Sequence, residues 1–183
     1  MLKVYDNFLS DSDFKLIERL FISSEFPWYY SDDIAGDEEG LDAYQMVHSF
    51  FDVKNPFRCN GCKYSKFLGP LFTKLSPDCV LRVKANLRPR TSQPFQSKWH
   101  TDTRIKSKTA IFYINSNNGY TAFKDDDMRV YSLANRLVLF DSHIEHSGVS
   151  CTSDKRRIVL NINYVPQMLN NVEQIPLGEL VEF

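Results

Sequence analysis

Residues 136–165, RLVLFDSHIEHSGVSCTSDKRRIVLNINYV, set a β-type run, RLVLF, before a polar turn with two histidines and follow it with a longer run, RRIVLNINYV. Aliphatic and β-branched runs bounded by Ser, Gly, Asp and Thr read as strands joined by a turn. The same texture begins at Val80: VLRVKANL (80–87), SKWHTDT (97–103), TAIFYIN (109–115), YTAF (120–123) and RVYSL (129–133) come before it. Strand follows strand with no helical period between, which argues against a βαβ sheet and predicts a β-sandwich or jelly roll.

The part before Val80 reads differently. Ser10 and Asp13 form a capping-box-like pair ahead of Phe14, Ile17, Leu20 and Phe21 at helical spacing, so a helix is expected there. Tyr64 to Leu75 carries a second apolar stripe, Phe67, Leu68, Leu71, Phe72 and Leu75, and predicts a second helix despite Pro70. Between them, SDDIAGDEEG (31–40) is acidic, contains two glycines and has no apolar period, which reads as an exposed loop. The expected organisation is one domain over 1–183: helical support and a lid in 1–79, a jelly-roll core in 80–166, and a tail in 167–183.

Composition narrows the functional classes. The 22 basic and 23 acidic residues nearly cancel, so overall charge gives no reason to expect nucleic acid or an anionic membrane as partner. No apolar run is long enough for a membrane span or signal peptide, so the expectation is a cytoplasmic protein. In that setting Cys59, Cys62, Cys79 and Cys151 are expected as free thiols. Cys59 and Cys62 have the spacing of half a zinc site, but no second pair follows.

The chemistry gathers at Trp99-His100-Thr101-Asp102. Residues two apart on a strand share a face, so His100 and Asp102 can bind one metal and take a third ligand from elsewhere. A histidine in the turn after RLVLF, His143 or His146, can supply it. Two histidines and a carboxylate cover one face of an octahedral iron and leave the other open, which suits oxygen chemistry at non-heme Fe(II).

With these residues in order, the chain resembles the Fe(II)/2-oxoglutarate oxygenase superfamily, especially its prolyl-hydroxylase-like branch and short phage-type members. The resemblance rests on WHTD, AIFYINSNNGYTAF, NRLVLFDSHIEHSG and KRRIVLNINY, with FPWYY (26–30) and RVKANL (82–87) as further similarities. It implies a mainly β (α+β) fold, a cupin-like double-stranded β-helix with N-terminal supporting helices. It also implies Fe(II), 2-oxoglutarate and O₂ as cofactors and hydroxylation with release of succinate and CO₂. Family spacing, a small or glycine position soon after the ligand and a basic residue about ten residues on, selects His146 and leaves His143 as a turn residue. Arg156 and Arg157 must face opposite ways on a strand, and the family pattern selects Arg157 for the distal carboxylate of 2-oxoglutarate. Tyr113 matches a position whose hydroxyl often assists that carboxylate, and Asn161 and Asn86 are further candidates for binding the co-substrate. Gly119-Tyr120-Thr121 stands where many relatives have Gly-Gly-x-Thr.

The substrate is less legible. Family analogy ranks a prolyl or other protein side chain ahead of a small molecule. Arg82, Lys84, Arg88, Arg90, Lys98, Arg104, Lys106 and Lys108 stand against Asp102 alone between positions 80 and 108, which favours an anionic substrate if they ring the site. Trp28, Tyr29, Tyr30, Trp99 and His48 are expected either in a substrate groove or in the core. The competing reading is a cupin-like metal-binding protein without 2-oxoglutarate chemistry.

Overall fold

In the computed structural model, residues 2–32, 34, 40, 42–56, 62–125 and 127–167 are described. Seven strands from Pro77 onward build the framework: β4 (Pro77–Pro89), β5 (Lys108–Tyr113), β6 (Tyr120–Phe123), β7 (Met128–Tyr131), β8 (Arg136–Asp141), β9 (His146–Val149) and β10 (Arg156–Pro166). They divide between two antiparallel sheets. The larger is ordered β1-β8-β5-β10-β4-β3-β2, with β1 (Lys3–Tyr5), β2 (Tyr29–Ser31) and β3 (Gln45–Asp52) added at its edges, and the smaller is ordered β7-β6-β9. Segment 96–100 joins the free edge of β9 through single bridges at Gln96↔Val149 and His100↔His146. Counting that segment, the strands from β4 run large sheet, small, large, small, small, large, small, large, which is the double-stranded β-helix expected from the sequence.

Side-chain alternation explains why both sheets are needed. On β10, Ile158, Leu160 and Ile162 face outward from the barrel and meet Phe14, Ile17 and Phe21 of helix α1 (Asp11–Ile22) in one cluster with Val83, Ala85, Leu87 and Phe112. The opposite face, Ile111, Tyr113, Val138, Phe140 and Val159, packs against Phe123 and Val130 of the small sheet. Each fully buried Phe, Leu or Ile contributes roughly 1.5–3 kcal/mol. The helix starts where the sequence indicated: Ser10 Oγ accepts from the Asp13 amide at 3.2 Å and donates to Asp13 Oδ2 at 2.7 Å, a cap contributing about 1 kcal/mol.

Three expectations need correction. The support within 1–79 is not wholly helical, because β1, β2 and β3 extend the large sheet. The second helix is divided into a 3₁₀ turn (Cys62–Leu68) and a short helix α2 (Gly69–Leu75), since Pro70 lacks an amide hydrogen and fits only the first turn of a helix. SKWHTDT is an extended segment held by single bridges rather than a continuous strand. Asp37, Glu38 and Glu39, on which the expectation of a lid falls, together with Cys59 and the tail beyond Gln167, lie outside the described residues. Cys79 and Cys151 are free thiols, as expected. No helix among the described residues is long and apolar enough to cross a membrane.

Candidate metal centre

His100 and His146 face each other across an antiparallel bridge in which each backbone amide donates to the other's carbonyl at 3.0 Å. Their rings are 4.6 Å apart between centroids. His100 Nδ1 lies 3.0 Å from the Lys98 carbonyl and His146 Nδ1 3.0 Å from the Ile144 carbonyl. A carbonyl only accepts, so both Nδ1 atoms carry the proton and both Nε2 lone pairs are left for a metal. Asp102 follows on the same segment, where its amide donates to the Ser142 carbonyl at 3.2 Å. One ligand atom from each of His100, Asp102 and His146 falls within 4.8 Å of the others. His143 is exposed and stands outside this cluster.

The carboxylate of Asp102, with 1% of its side chain exposed, is held from several sides. Arg82 Nη2 donates to Oδ1 at 2.7 Å, while Thr109 Oγ1 and Asn163 Nδ2 donate to Oδ2 at 2.8 and 2.9 Å. Asn161 Nδ2 lies 3.4 Å from both oxygens. Burial alone raises its pKa, but Arg82, His146, Asn163 and Thr109 together outweigh that and hold it at about 2. Burial lowers the His146 pKa, with Asp102 opposing, which favours the neutral imidazole that a metal ligand requires.

The depressed Asp102 pKa has a measurable consequence. Because the folded value of about 2 lies below the ordinary 3.8, folding favours the carboxylate; this stabilisation is complete above about pH 4 and is lost as pH falls through 2. The difference corresponds to about 2 kcal/mol. Urea unfolding of metal-free protein between about pH 5 and 2 should therefore show a steeper acid loss, by about that amount, in the native chain than in Asp102→Asn.

A cavity of about 150 Å³ opens beside the cluster, lined by His100, Asp102 and His146 together with one face of β4 (Arg82, Lys84, Asn86, Arg88) and one face of β10 (Arg157, Val159, Asn161). Arg157, 4% exposed, is deep in the barrel: Nε donates to Ser132 Oγ at 2.9 Å and Nη2 to Thr121 Oγ1 at 3.1 Å. Among the described residues no carboxylate lies within ion-pair distance of it. A buried guanidinium with only hydroxyl partners retains most of its desolvation cost, which an anion beside it would offset. Arg156, its neighbour, is more exposed, in agreement with the alternation expected of the strand.

Other predicted residues are placed less directly. Tyr113 does not line the cavity; its hydroxyl donates to Thr121 Oγ1 at 2.8 Å and its ring lies 5.5 Å from the Arg157 guanidinium, so it braces Thr121 and Arg157. Asn86 and Asn161 both line the cavity, and Asn161 Oδ1 is buried with no hydrogen-bond partner. His48 and Trp28 belong to the aromatic core around Phe26, and Tyr29, Tyr30 and Trp99 are exposed away from the cavity wall. Sequence reasoning missed Arg82, Thr109 and Asn163 as partners of Asp102, and Thr121 and Ser132 as partners of Arg157. Only Arg82 had a visible signal, its place in the alternating basic face of β4.

Gly119 is required by close approach. A Cβ there would lie 2.7 Å from Arg157 Cδ and 2.9 Å from the Val149 carbonyl oxygen, both too near for any side chain. The single Gly at this position therefore gives Arg157 the room to extend along the barrel.

No family sequence profile matches the chain, and no curated protein does. Solved structures do. A Trichoplax adhaerens prolyl hydroxylase, in complex with a peptide fragment of the oxygen degradation domain of hypoxia inducible factor, superposes with TM-score 0.61 at 13% identity over 90% of this chain and 83% of that one. A Pseudomonas putida prolyl-4-hydroxylase gives 0.58 at 14% identity over 91% and 92%. SnoN, a non-heme α-ketoglutarate-dependent epimerase of nogalamycin biosynthesis, gives 0.62 at 11% identity over 100% and 90%. The fold is thus the jelly roll of 2-oxoglutarate/Fe(II) oxygenases.

Proposed function

We propose that this chain is an Fe(II)- and 2-oxoglutarate-dependent oxygenase that hydroxylates a C–H bond. The observation that carries the reading is the convergence of His100, Asp102 and His146 on the same cavity as the buried, carboxylate-free Arg157. The donor set fits ferrous iron, because two neutral imidazoles and one carboxylate leave open positions for the co-substrate and oxygen. Bound there, iron and 2-oxoglutarate supply O₂ activation, with succinate and CO₂ released.

The chain's residues supply the setting. The Lys98 and Ile144 carbonyls fix the two histidine tautomers, and Arg82, Thr109 and Asn163 hold Asp102 ionised and oriented. Arg157 receives the distal carboxylate, Tyr113 and Thr121 keep its guanidinium in place, and Asn161 Oδ1 is available to a donor at the metal-facing wall. Arg157 is also what separates this reading from a cupin-like metal-binding protein, which has no need of a buried cation opposite the metal. A prolyl or other protein side chain is the substrate that the prolyl-hydroxylase neighbours favour by analogy, while SnoN carries a different reaction on the same fold. Free Cys79 and Cys151 suit the cytoplasmic setting proposed with it.

The test is turnover of the co-substrate. Purified protein with Fe(II) should convert 2-oxoglutarate to succinate in an O₂-dependent manner, slowly even without substrate. Strict absence of succinate from iron-loaded, folded protein across a broad substrate panel would contradict the proposal.

A further inference from the structure

Among the described residues of the cavity wall, Asn161 leaves a buried acceptor without a hydrogen bond: the residue is 9% exposed and its Oδ1 has no partner. Its neighbour fixes the orientation of this amide. Asn161 Nδ2 lies 3.4 Å from both oxygens of Asp102, a carboxylate kept ionised by Arg82, Asn163 and Thr109, and a carboxylate only accepts. Flipping the amide would set oxygen against oxygen, so Nδ2 stays on Asp102 and Oδ1 is the atom left over.

Neither iron nor 2-oxoglutarate supplies what this oxygen lacks. A metal ion, O₂ and both ends of the ionised co-substrate offer no N–H or O–H. Register also separates Asn161 from the distal carboxylate. It lies four residues from Arg157 on the same face of β10, about 13 Å along the strand, and through Asp102 it stands at the level of the metal. The missing donor is uncharged, because Arg82 already places a guanidinium on the same carboxylate at 2.7 Å and a second cation there would be repelled. An unpaired buried acceptor is costly, so a site holding one discriminates strongly between a ligand that bears the donor and one that lacks it.

We propose that Asn161 is a specificity residue: the substrate presents an uncharged donor, an amide N–H or a hydroxyl, to Asn161 Oδ1, and this bond sets which of its carbons faces the metal. The assignment rests on the oxygenase reading above. Ile111, opposite Asn161 on β5, and Val159, two residues before it on β10, line the same cavity and give the hydrocarbon part of the substrate an apolar seat.

The test uses two matched pairs of probes on Mn(II)-loaded protein, with and without 2-oxoglutarate: N-methylacetamide against N,N-dimethylacetamide, and methanol against dimethyl ether. Paramagnetic relaxation of the probe methyl protons reads binding beside the metal. Native protein should bind the donor-bearing member of at least one pair about tenfold or more tightly than its methylated partner, and the pair that shows this tells amide from hydroxyl. Asn161→Leu, close in volume, and the smaller Asn161→Ala should both lose the preference. Three results overturn the proposal: no relaxation of any probe by native protein; equal binding within both pairs, as when an ordered water occupies Oδ1; or a preference that persists in the variants and is therefore steric. Isothermal titration of 2-oxoglutarate into the same metal-loaded forms adds a fourth, since binding about tenfold weaker in Asn161→Leu would assign the residue to the co-substrate instead. Native protein that shows the preference with Mn(II) alone but never binds 2-oxoglutarate would uphold the role of Asn161 and count against the oxygenase reading.

Discussion

Replacing His146 by alanine should lower Fe(II) affinity at least about a hundredfold and abolish succinate formation, whereas His143→Ala should leave both within about twofold. Loss of an orienting partner of a metal ligand already costs 10–100-fold, and loss of one of three ligands exceeds that. The two histidines lie three positions apart in one turn, yet only His146 is buried against Phe140 and Phe123 with its Nδ1 at the Ile144 carbonyl. The exposed His143 has no such support. Equilibrium binding of Fe(II) under anaerobic conditions reads the difference directly. Retention of iron by His146→Ala together with its loss in His143→Ala would reverse the ligand assignment.

Arg157→Ala should weaken 2-oxoglutarate binding at least about a hundredfold while leaving Fe(II) affinity in its absence unchanged. A bidentate, charge-assisted pair makes two hydrogen bonds of about 1.5–3 kcal/mol each, and every 1.4 kcal/mol is about tenfold. Arg157→Lys should recover only part of this, because an ammonium lacks the planar fork that Ser132 and Thr121 hold in place. Gly119→Ala should act in the same direction more weakly, since the added carbon displaces Arg157 Cδ without removing the cation. Isothermal titration of 2-oxoglutarate into each variant, with a metal-only titration beside it, distinguishes loss of the co-substrate site from general damage. Equal weakening of metal and co-substrate would mean that Arg157 is a structural residue of the barrel.

Much of the fold and of the site is legible in the sequence, for specific reasons. The barrel strands are bounded by polar turns, so alternation alone places Val159 and Asn161 beside Arg157 and sends Ile158 and Leu160 to the helical face. The capping pair at Ser10 and Asp13 is local, and it forms as written. What is not legible is non-local. β3 follows an acidic stretch of sequence and mixes buried, half-buried and exposed residues, so its strand character comes from pairing with β4 rather than from its own pattern. The extended path of 96–102 depends on bridges to β9, about fifty residues away, and not on β propensity. The set holding Asp102, drawn from Arg82, Thr109 and Asn163, exists only once β4, β5 and β10 lie side by side. Tyr113 shows the same limit in reverse: its strand face follows from alternation, but the partner of its hydroxyl, Thr121, sits on the other sheet.

The basic stretch from Arg82 to Lys108 also divides by geometry. Sequence presents eight cations together, while the fold points three of them, Arg82, Lys84 and Arg88, into the cavity and sets Lys108 on Asp141. Alternation on β4 is enough to select those three, since they occupy every other position with Asn86 between. It is the register with β10 that sets Arg88 opposite Arg157, Lys84 opposite Asn161 and Arg82 opposite Asn163.

The most direct measurement is an anaerobic titration of 2-oxoglutarate into the Fe(II)-loaded protein, followed by visible absorption. Chelation of ferrous iron by the keto and carboxylate oxygens of 2-oxoglutarate should produce a saturable metal-to-ligand charge-transfer band, absent without metal, lost in His146→Ala and shifted to far higher concentration in Arg157→Ala. Folded, iron-loaded native protein that gives no such band at saturating 2-oxoglutarate would contradict the account.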